Sequence, residues 1–221
     1  MNQINGYLKP RKKHKMLTEN QLRIFEPLTK DILKEYSIKE IKKDSREKSN
    51  NAIALAIKRF KEENLVIERM VGRSLLYTLN ADSDLVFYYL SILNNKKISK
   101  PAERAVRRIK EEVEKHTFFY SLVIFGSYAI GKQTKESDLD IAVFIEDENK
   151  RKIIESALKS SELKTPLKIH GHVITKDEFL EMLKVDEENL GKQLARKHLS
   201  IYNSHIFYSL LKKGIKNGFR Y

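Results

Sequence analysis

The stretch that most limits the folds open to this chain runs from Phe118 to Ile145, FFYSLVIFGSYAIGKQTKESDLDIAVFI. Two apolar runs of strand length, rich in β-branched and aromatic residues, flank a Gly126-Ser127 corner, a loop and an acid-Leu-acid triplet, so both runs read as buried strands. Alternation along a strand puts Asp138 and Asp140 on one face, with Leu139 and Ile141 packed into the core on the other. Two carboxylates crowded on one face repel unless a cation sits between them. Paired hard oxygen ligands are how a protein holds Mg²⁺, which keeps waters and completes its shell from substrate phosphates. At the corner, glycine leaves the backbone free for a tight turn and for close approach by a ligand. Amides exposed just after it, together with the Ser127 hydroxyl, suit phosphate oxygens.

From Pro101 onward the chain alternates: helix AERAVRRIKEEVEKH, the two strands above, helix NKRKIIESALKSSE, strand LKIHGHVIT, then helices from Lys176 to about Lys213. Such alternation predicts an α/β layer. GSYAIGKQTKESDLDIAVF resembles the signature of the DNA polymerase beta-like nucleotidyltransferase superfamily, above all its small archaeal and bacterial members, in which Gly-Ser, a ten-residue loop and Asp-x-Asp occur together. The resemblance covers roughly residues 101–185, and Ser137, just before the acids, also matches. It implies a small mixed sheet, a nucleoside triphosphate such as ATP bound at Gly126 and Ser127, and catalytic Mg²⁺ or Mn²⁺ on Asp138 and Asp140. Members that catalyse usually carry a third carboxylate on a later strand. The spacing of LKIHGHVITKDEF places His172 there, sharing its face with His170, so His172 becomes a further candidate metal ligand. Asp177 and Glu178 read instead as acids at a helix start.

Residues 17–65 predict three short helices. Leu22, Phe25, Leu28, Ile32 and Leu33 recur in helical rhythm, SIKEIKKDS follows, and a third helix begins at Ser49 or Asn50 with Ala52, Ile53, Ala56, Ile57 and Phe60 as its apolar stripe. A hairpin over Leu65–Val71 and Ser74–Leu79 turns at Gly72-Arg73. Three helices and a basic hairpin resemble a winged helix-turn-helix domain. The resemblance implies a third helix in the DNA major groove, with Arg46, Lys48, Ser49, Asn50 and Asn51 near it, and Arg69 and Arg73 along the phosphates. ADSDLVFYYLSILNNKK reads as a connecting helix and KKISKP as a linker. The expected division is therefore a winged helix over 1–80, a connector over 81–100, and a nucleotidyltransferase domain with a C-terminal helix over 101–221.

Charge agrees with a polyanionic partner. Forty-three Lys and Arg against thirty Asp and Glu give a formal +13, and the first 80 residues, with eighteen against ten, supply +8 of it. Cysteine is absent, which excludes disulfides, thiolate zinc sites and a Cys nucleophile. The basic opening MNQINGYLKPRKKHKM is not followed by an apolar segment, and no window approaches a membrane span, so a soluble, cytoplasmic protein without a membrane partner is expected. The fold class expected is α+β. The activity expected is transfer of a nucleoside monophosphate from a triphosphate to an acceptor, coupled to binding of duplex DNA. The alternative is a DNA-binding regulator whose second domain is a weakly catalytic nucleotide sensor or an antitoxin-like module with a protein partner.

Overall fold

The computed structural model describes residues 16–32 and 34–219; the basic run before Met16, the apolar position Leu33, and the terminal Arg220 and Tyr221 lie outside the described residues. The chain divides into two compact units, Met1–Leu79 and Asn80–Tyr221.

In the first unit Thr18 opens helix α1 (Glu19–Phe25) through a capping box with Gln21. The chain then tightens into a 3-10 turn at Glu26–Thr29, where Pro27 has no N–H to offer an α-helical bond. Leu28 and Ile32 stay buried although the helix has ended. A two-residue strand, β1 (Tyr36–Ser37), precedes α2 (Ile38–Ser45), whose capping box joins Ser37 and Glu40. Arg46 ends α2 in the left-handed conformation, and Ser49 caps α3 (Asn50–Glu62) by accepting from the Ala52 amide. Ile53, Ala56, Ile57 and Phe60 form the buried stripe of α3. The Phe60 ring meets Phe25 edge-on at 5.1 Å. The expected hairpin forms as β2 (Val66–Val71) and β3 (Ser74–Leu79), and β1 joins it to give the antiparallel order β1-β3-β2.

The second unit opens with α4 (Asp84–Lys97) and α5 (Lys100–Val113). Beyond them follow β4 (Tyr120–Phe125), the single turn α6 (Gly126–Ala129), β5 (Leu139–Ile145), α7 (Arg151–Glu162) and β6 (Ile169–Thr175). It closes with α8 (Lys176–Lys184), α9 (Leu190–Arg196), β7 (His198–Tyr202) and α10 (Ser204–Lys216). The strands form one mixed sheet, β6-β5-β4-β7, with β5 and β6 parallel and the other two pairings antiparallel. Parallel neighbours need a crossover, and α7 supplies it. Odd-numbered residues of β5, among them Leu139, Ile141 and Val143, are buried in a core shared with Ile109 of α5 and with Ile154 and Leu158 of α7. On the other face Phe144 packs its ring against Phe179 of α8 and Phe207 of α10, at 5.1 and 5.4 Å.

The chain divides after Leu79, and the helix expected as a connector over 81–100 packs inside the second unit. Val86, Phe87, Tyr89, Leu90 and Leu93 are all buried, which leaves α4 too apolar to bridge solvent. Phe87 stacks on Tyr208 at 5.4 Å, and Asn94 donates to the Ser200 carbonyl and to the Tyr208 hydroxyl.

That network also fixes the state of a buried histidine. The Leu194 carbonyl, 2.8 Å from His198 Nδ1, can only accept, so Nδ1 carries the hydrogen and Nε2 accepts from Tyr208, 3.3 Å away. Burial pushes His198 from the ordinary 6.5 down to about 4, outweighing the hydrogen bond to Leu194, which favours the proton. A histidine with a lowered folded pKa binds fewer protons folded than unfolded. Its contribution to stability is therefore complete above pH 6.5 and is lost as the pH falls toward 4, about 3 kcal/mol across that window. Denaturant unfolding of the second unit at pH 7 and pH 4.5 is expected to register this loss, and His198→Phe to flatten it; equal slopes in both proteins would place the acid sensitivity elsewhere.

Candidate active site

β5 is the element from which the site is built. Leu139 and Ile141 are fully buried, so Asp138 and Asp140 are turned to the opposite face, where their side chains keep 37% and 25% of their accessibility. This is the face on which Phe144 meets α8 and α10 further along the strand. At the strand's beginning it carries carboxylates instead.

Gly126 shows how closely the corner and the acids are fitted. It adopts φ +65°, and a Cβ added there would stand 2.2 Å from Asp140 Oδ2. Glycine is required twice over, by the left-handed backbone and by the carboxylate against it. Ser127 follows, half-buried, and its carbonyl accepts from the Lys132 amide. The Ser137 hydroxyl accepts from the Thr134 amide at 2.9 Å, folding the loop back just before Asp138.

β6 supplies the other wall. The parallel register pairs Asp140 with His170 and Ala142 with His172. His170, not His172, is therefore the residue across from Asp140, with its Nδ1 3.3 Å from Asp140 Oδ1. His172 stands two pairs further along on the same face, 4.5 Å from the His170 ring and 5.7 Å from that of Phe125. Its pKa is lowered, first by burial and then by the neighbouring His170, with Asp140 acting in the opposite direction. Two residues before His170, Lys168 donates to Asp138 at 2.9 Å, and that hydrogen bond and charge raise the Lys168 pKa. The alternation that put His170 and His172 on one face puts Lys168 there as well, and that was the available signal for it.

Another pair of cations arrives from the far side of the sheet. β4 and β7 pair Phe125 with His198, so Arg196 and Lys197, just before His198, come beside Gly126, just after Phe125. With Ile130, Glu188 and Gln193 they line a cleft of about 300 Å³ that includes Gly126. Arg196 is paired with Glu188 at 2.6 Å. No local pattern in the sequence marks this pair, because only the strand order brings it here.

The donor set fits one divalent cation. Two adjacent carboxylates offer hard oxygens, and the imidazole of His170 lies against one of them. No cluster of three or more metal-ligating side chains forms among the described residues. Of the sequence-derived candidates, Gly126 lies against Asp140, Asp138 is paired with Lys168, and His172 lies next to His170 rather than across from Asp140.

The remaining candidates belong to the first unit. Arg46, Lys48, Ser49, Asn50 and Asn51 are all exposed around the start of α3. Asn50 accepts from Lys42, and Ser49 is engaged as the cap. Arg69 on β2 is paired with Glu35 at 3.2 Å, while Arg73 is exposed at the hairpin tip. The outer face of α3 also presents Ala54, Lys58 and Leu55, the last 57% exposed and absent from the candidates drawn from the sequence.

No helix among the described residues is long and apolar enough to cross a membrane. A family model described as a nucleotidyltransferase domain matches residues 106–216, from within α5 to the end of α10. No curated protein matches the chain.

Proposed function

Since the chain belongs to the nucleotidyltransferase domain family, whose model spans half of it, we propose that it transfers a nucleoside monophosphate from a triphosphate, ATP in the first instance, to an acceptor hydroxyl, whose oxygen bonds the α-phosphorus as the bond to the β-phosphate breaks, releasing pyrophosphate and giving the hydroxyl proton to solvent. Asp138 and Asp140 would hold Mg²⁺ or Mn²⁺. That cation, when bound, neutralises triphosphate charge and lowers the barrier to attack by the acceptor oxygen. Gly126 lets the phosphates approach the backbone, Ser127 donates its hydroxyl to them, and Arg196 and Lys197 add positive charge from the cleft beside the corner. The observation that carries this reading is the fit of Gly126 against the Asp140 carboxylate, which ties the corner to the acid pair as one construction. Incubating the purified chain with each α-labelled nucleoside triphosphate, Mg²⁺ or Mn²⁺ and candidate acceptors tests it. Label retained on protein, nucleic acid or a small acceptor supports transfer; none under any condition removes it.

A second reading is favoured by β6, which faces the acids with Lys168, His170 and His172 and offers no carboxylate to take the acceptor's proton. On this reading the domain binds nucleotide as a sensor, and binding changes the affinity of the first unit for its partner. Nucleotide binding without transfer would favour the sensor.

For the first unit the proposed role is a winged helix-turn-helix that binds duplex DNA. The reading is supported by its charge and by the outer face of α3, where Asn51 can read a base edge, Ala54 and Leu55 can meet thymine methyls, and Lys58 can reach phosphate. Binding by the full chain is expected to weaken steeply with salt. Replacing Arg69 and Arg73 by Ala should reduce the slope of log affinity against log salt by about 2, one for each phosphate no longer neutralised. Electrophoretic shifts over a salt series measure it, and an unchanged slope would remove the hairpin from the interface.

A further inference from the structure

The cation that touches the acid pair in this structure belongs to the protein. Lys168 Nζ lies 2.9 Å from Asp138 Oδ2, and the backbone holds the two residues side by side, since the Leu139 amide donates to the Lys168 carbonyl at 2.8 Å. The lysine side chain is 72% exposed and the aspartate 37%, so the pair is open to water and readily exchanged. Two residues along, on the same face, Asp140 lies against both His170 and Gly126. Lys168 therefore stands two residue pairs along the strand from Asp140, which abuts the corner assigned to the triphosphate.

We propose that Lys168 is an exchangeable cation of the site, competing with the divalent ion for Asp138 and, once displaced, binding the phosphates of the incoming nucleotide. The inference rests on the reading that Asp138 and Asp140 hold the divalent ion and that Gly126 and Ser127 hold the triphosphate. An ammonium on a four-carbon stem is suited to the exchange, because it is a compact charge with three rotatable donors and no fixed fork. Two consequences follow from one side chain. Without nucleotide, Lys168 weakens metal binding by cancelling one of the two negative charges. With nucleotide, it leaves Asp138 for the phosphates, so metal and nucleotide strengthen each other's binding, by the same factor in both directions.

The test measures binding by the full chain, with no turnover required. Mn²⁺ is titrated by electron paramagnetic resonance, and ATP by calorimetry in EDTA, for wild type, Lys168→Ala, Lys168→Arg and the pair Asp138→Asn with Asp140→Asn. Lys168→Ala is expected to bind Mn²⁺ alone about three- to fivefold more tightly, the scale of one exposed charge. It is expected to bind ATP in EDTA about tenfold more weakly, the scale of one charge-assisted hydrogen bond removed. Lys168→Arg should keep the wild-type direction of both. Unchanged Mn²⁺ and ATP affinities in Lys168→Ala would overturn the proposal while leaving the site intact, provided that wild type binds both and the Asn pair loses Mn²⁺. If wild type binds neither ligand, the assignment of the site falls and this inference with it.

Discussion

Replacing Asp138 and Asp140 together by Asn is expected to lower nucleotidyl transfer by on the order of 10³-fold or more while leaving the fold standing. The kinetic figure follows from the metal, which contributes several kcal/mol to such a transition state, at 1.36 kcal/mol for each factor of ten. Asn keeps the shape and removes both formal charges and the hard oxygen pair, so the ligand set is lost without a cavity. Stability is spared because the packing at this point of β5 is carried by Leu139 and Ile141, both fully buried, and not by the acids. Either substitution alone should cost nearly as much as the two together, since residues that act as a unit are not additive. The same variants are expected to lose the rise in melting temperature that Mn²⁺ with ATP confers on wild type, a linkage effect of about 2.7 kcal/mol at a hundredfold excess over Kd. Turnover and thermal shift measured in parallel check both statements. Wild-type turnover in the double variant, or an undiminished metal-dependent shift, would move the site away from β5.

Period-two alternation was enough to put both aspartates on one face and Leu139 and Ile141 in the core, because that pattern depends only on parity along one strand. The hairpin was equally legible, its two runs bracketing Gly72-Arg73. Register between strands is another matter. Parity places Lys168, His170 and His172 on one face but does not say which of them stands across from Asp140; that depends on how far the α7 crossover and the segment after it carry the chain before β6 begins. Parity alone therefore cannot choose His170 over His172, and it gives Lys168 no weight beyond sharing their face. Strand β1 is illegible for a simpler reason, since two residues, Tyr36 and Ser37, carry no periodicity, and only pairing with Tyr77 and Leu76 makes them a strand. Arg196 and Lys197 owe their place beside Gly126 to a pairing between β4 and β7, remote in sequence, that no local signal encodes.

The corner itself gives the sharpest structural test, because the protein contains its own control. Gly126 and Gly131 have nearly the same backbone, φ +65° and +67°, but a Cβ on Gly126 would stand 2.2 Å from Asp140 Oδ2, whereas one on Gly131 meets nothing within 4 Å. Gly131→Ala is therefore expected to bear only the left-handed penalty, about 1 kcal/mol of stability, with nucleotide binding intact. Gly126→Ala bears the same penalty and must also turn the Asp140 carboxylate aside, since the methyl group and Oδ2 cannot share that distance. The Asp140 carboxylate then leaves its place against the corner, and metal-dependent nucleotide binding should weaken by on the order of ten- to a hundredfold, the scale of one interaction with a charged group removed. In a double-variant cycle, Asp140→Asn added to Gly126→Ala should cost much less than Asp140→Asn alone, because the carboxylate has already been displaced. Melting curves and ATP titrations with Mn²⁺ on wild type and the four variants provide the comparison. If Gly126→Ala and Gly131→Ala behave alike, the close approach of the corner to Asp140 has no functional weight, and the proposal that corner and acids form one nucleotide site loses its main support.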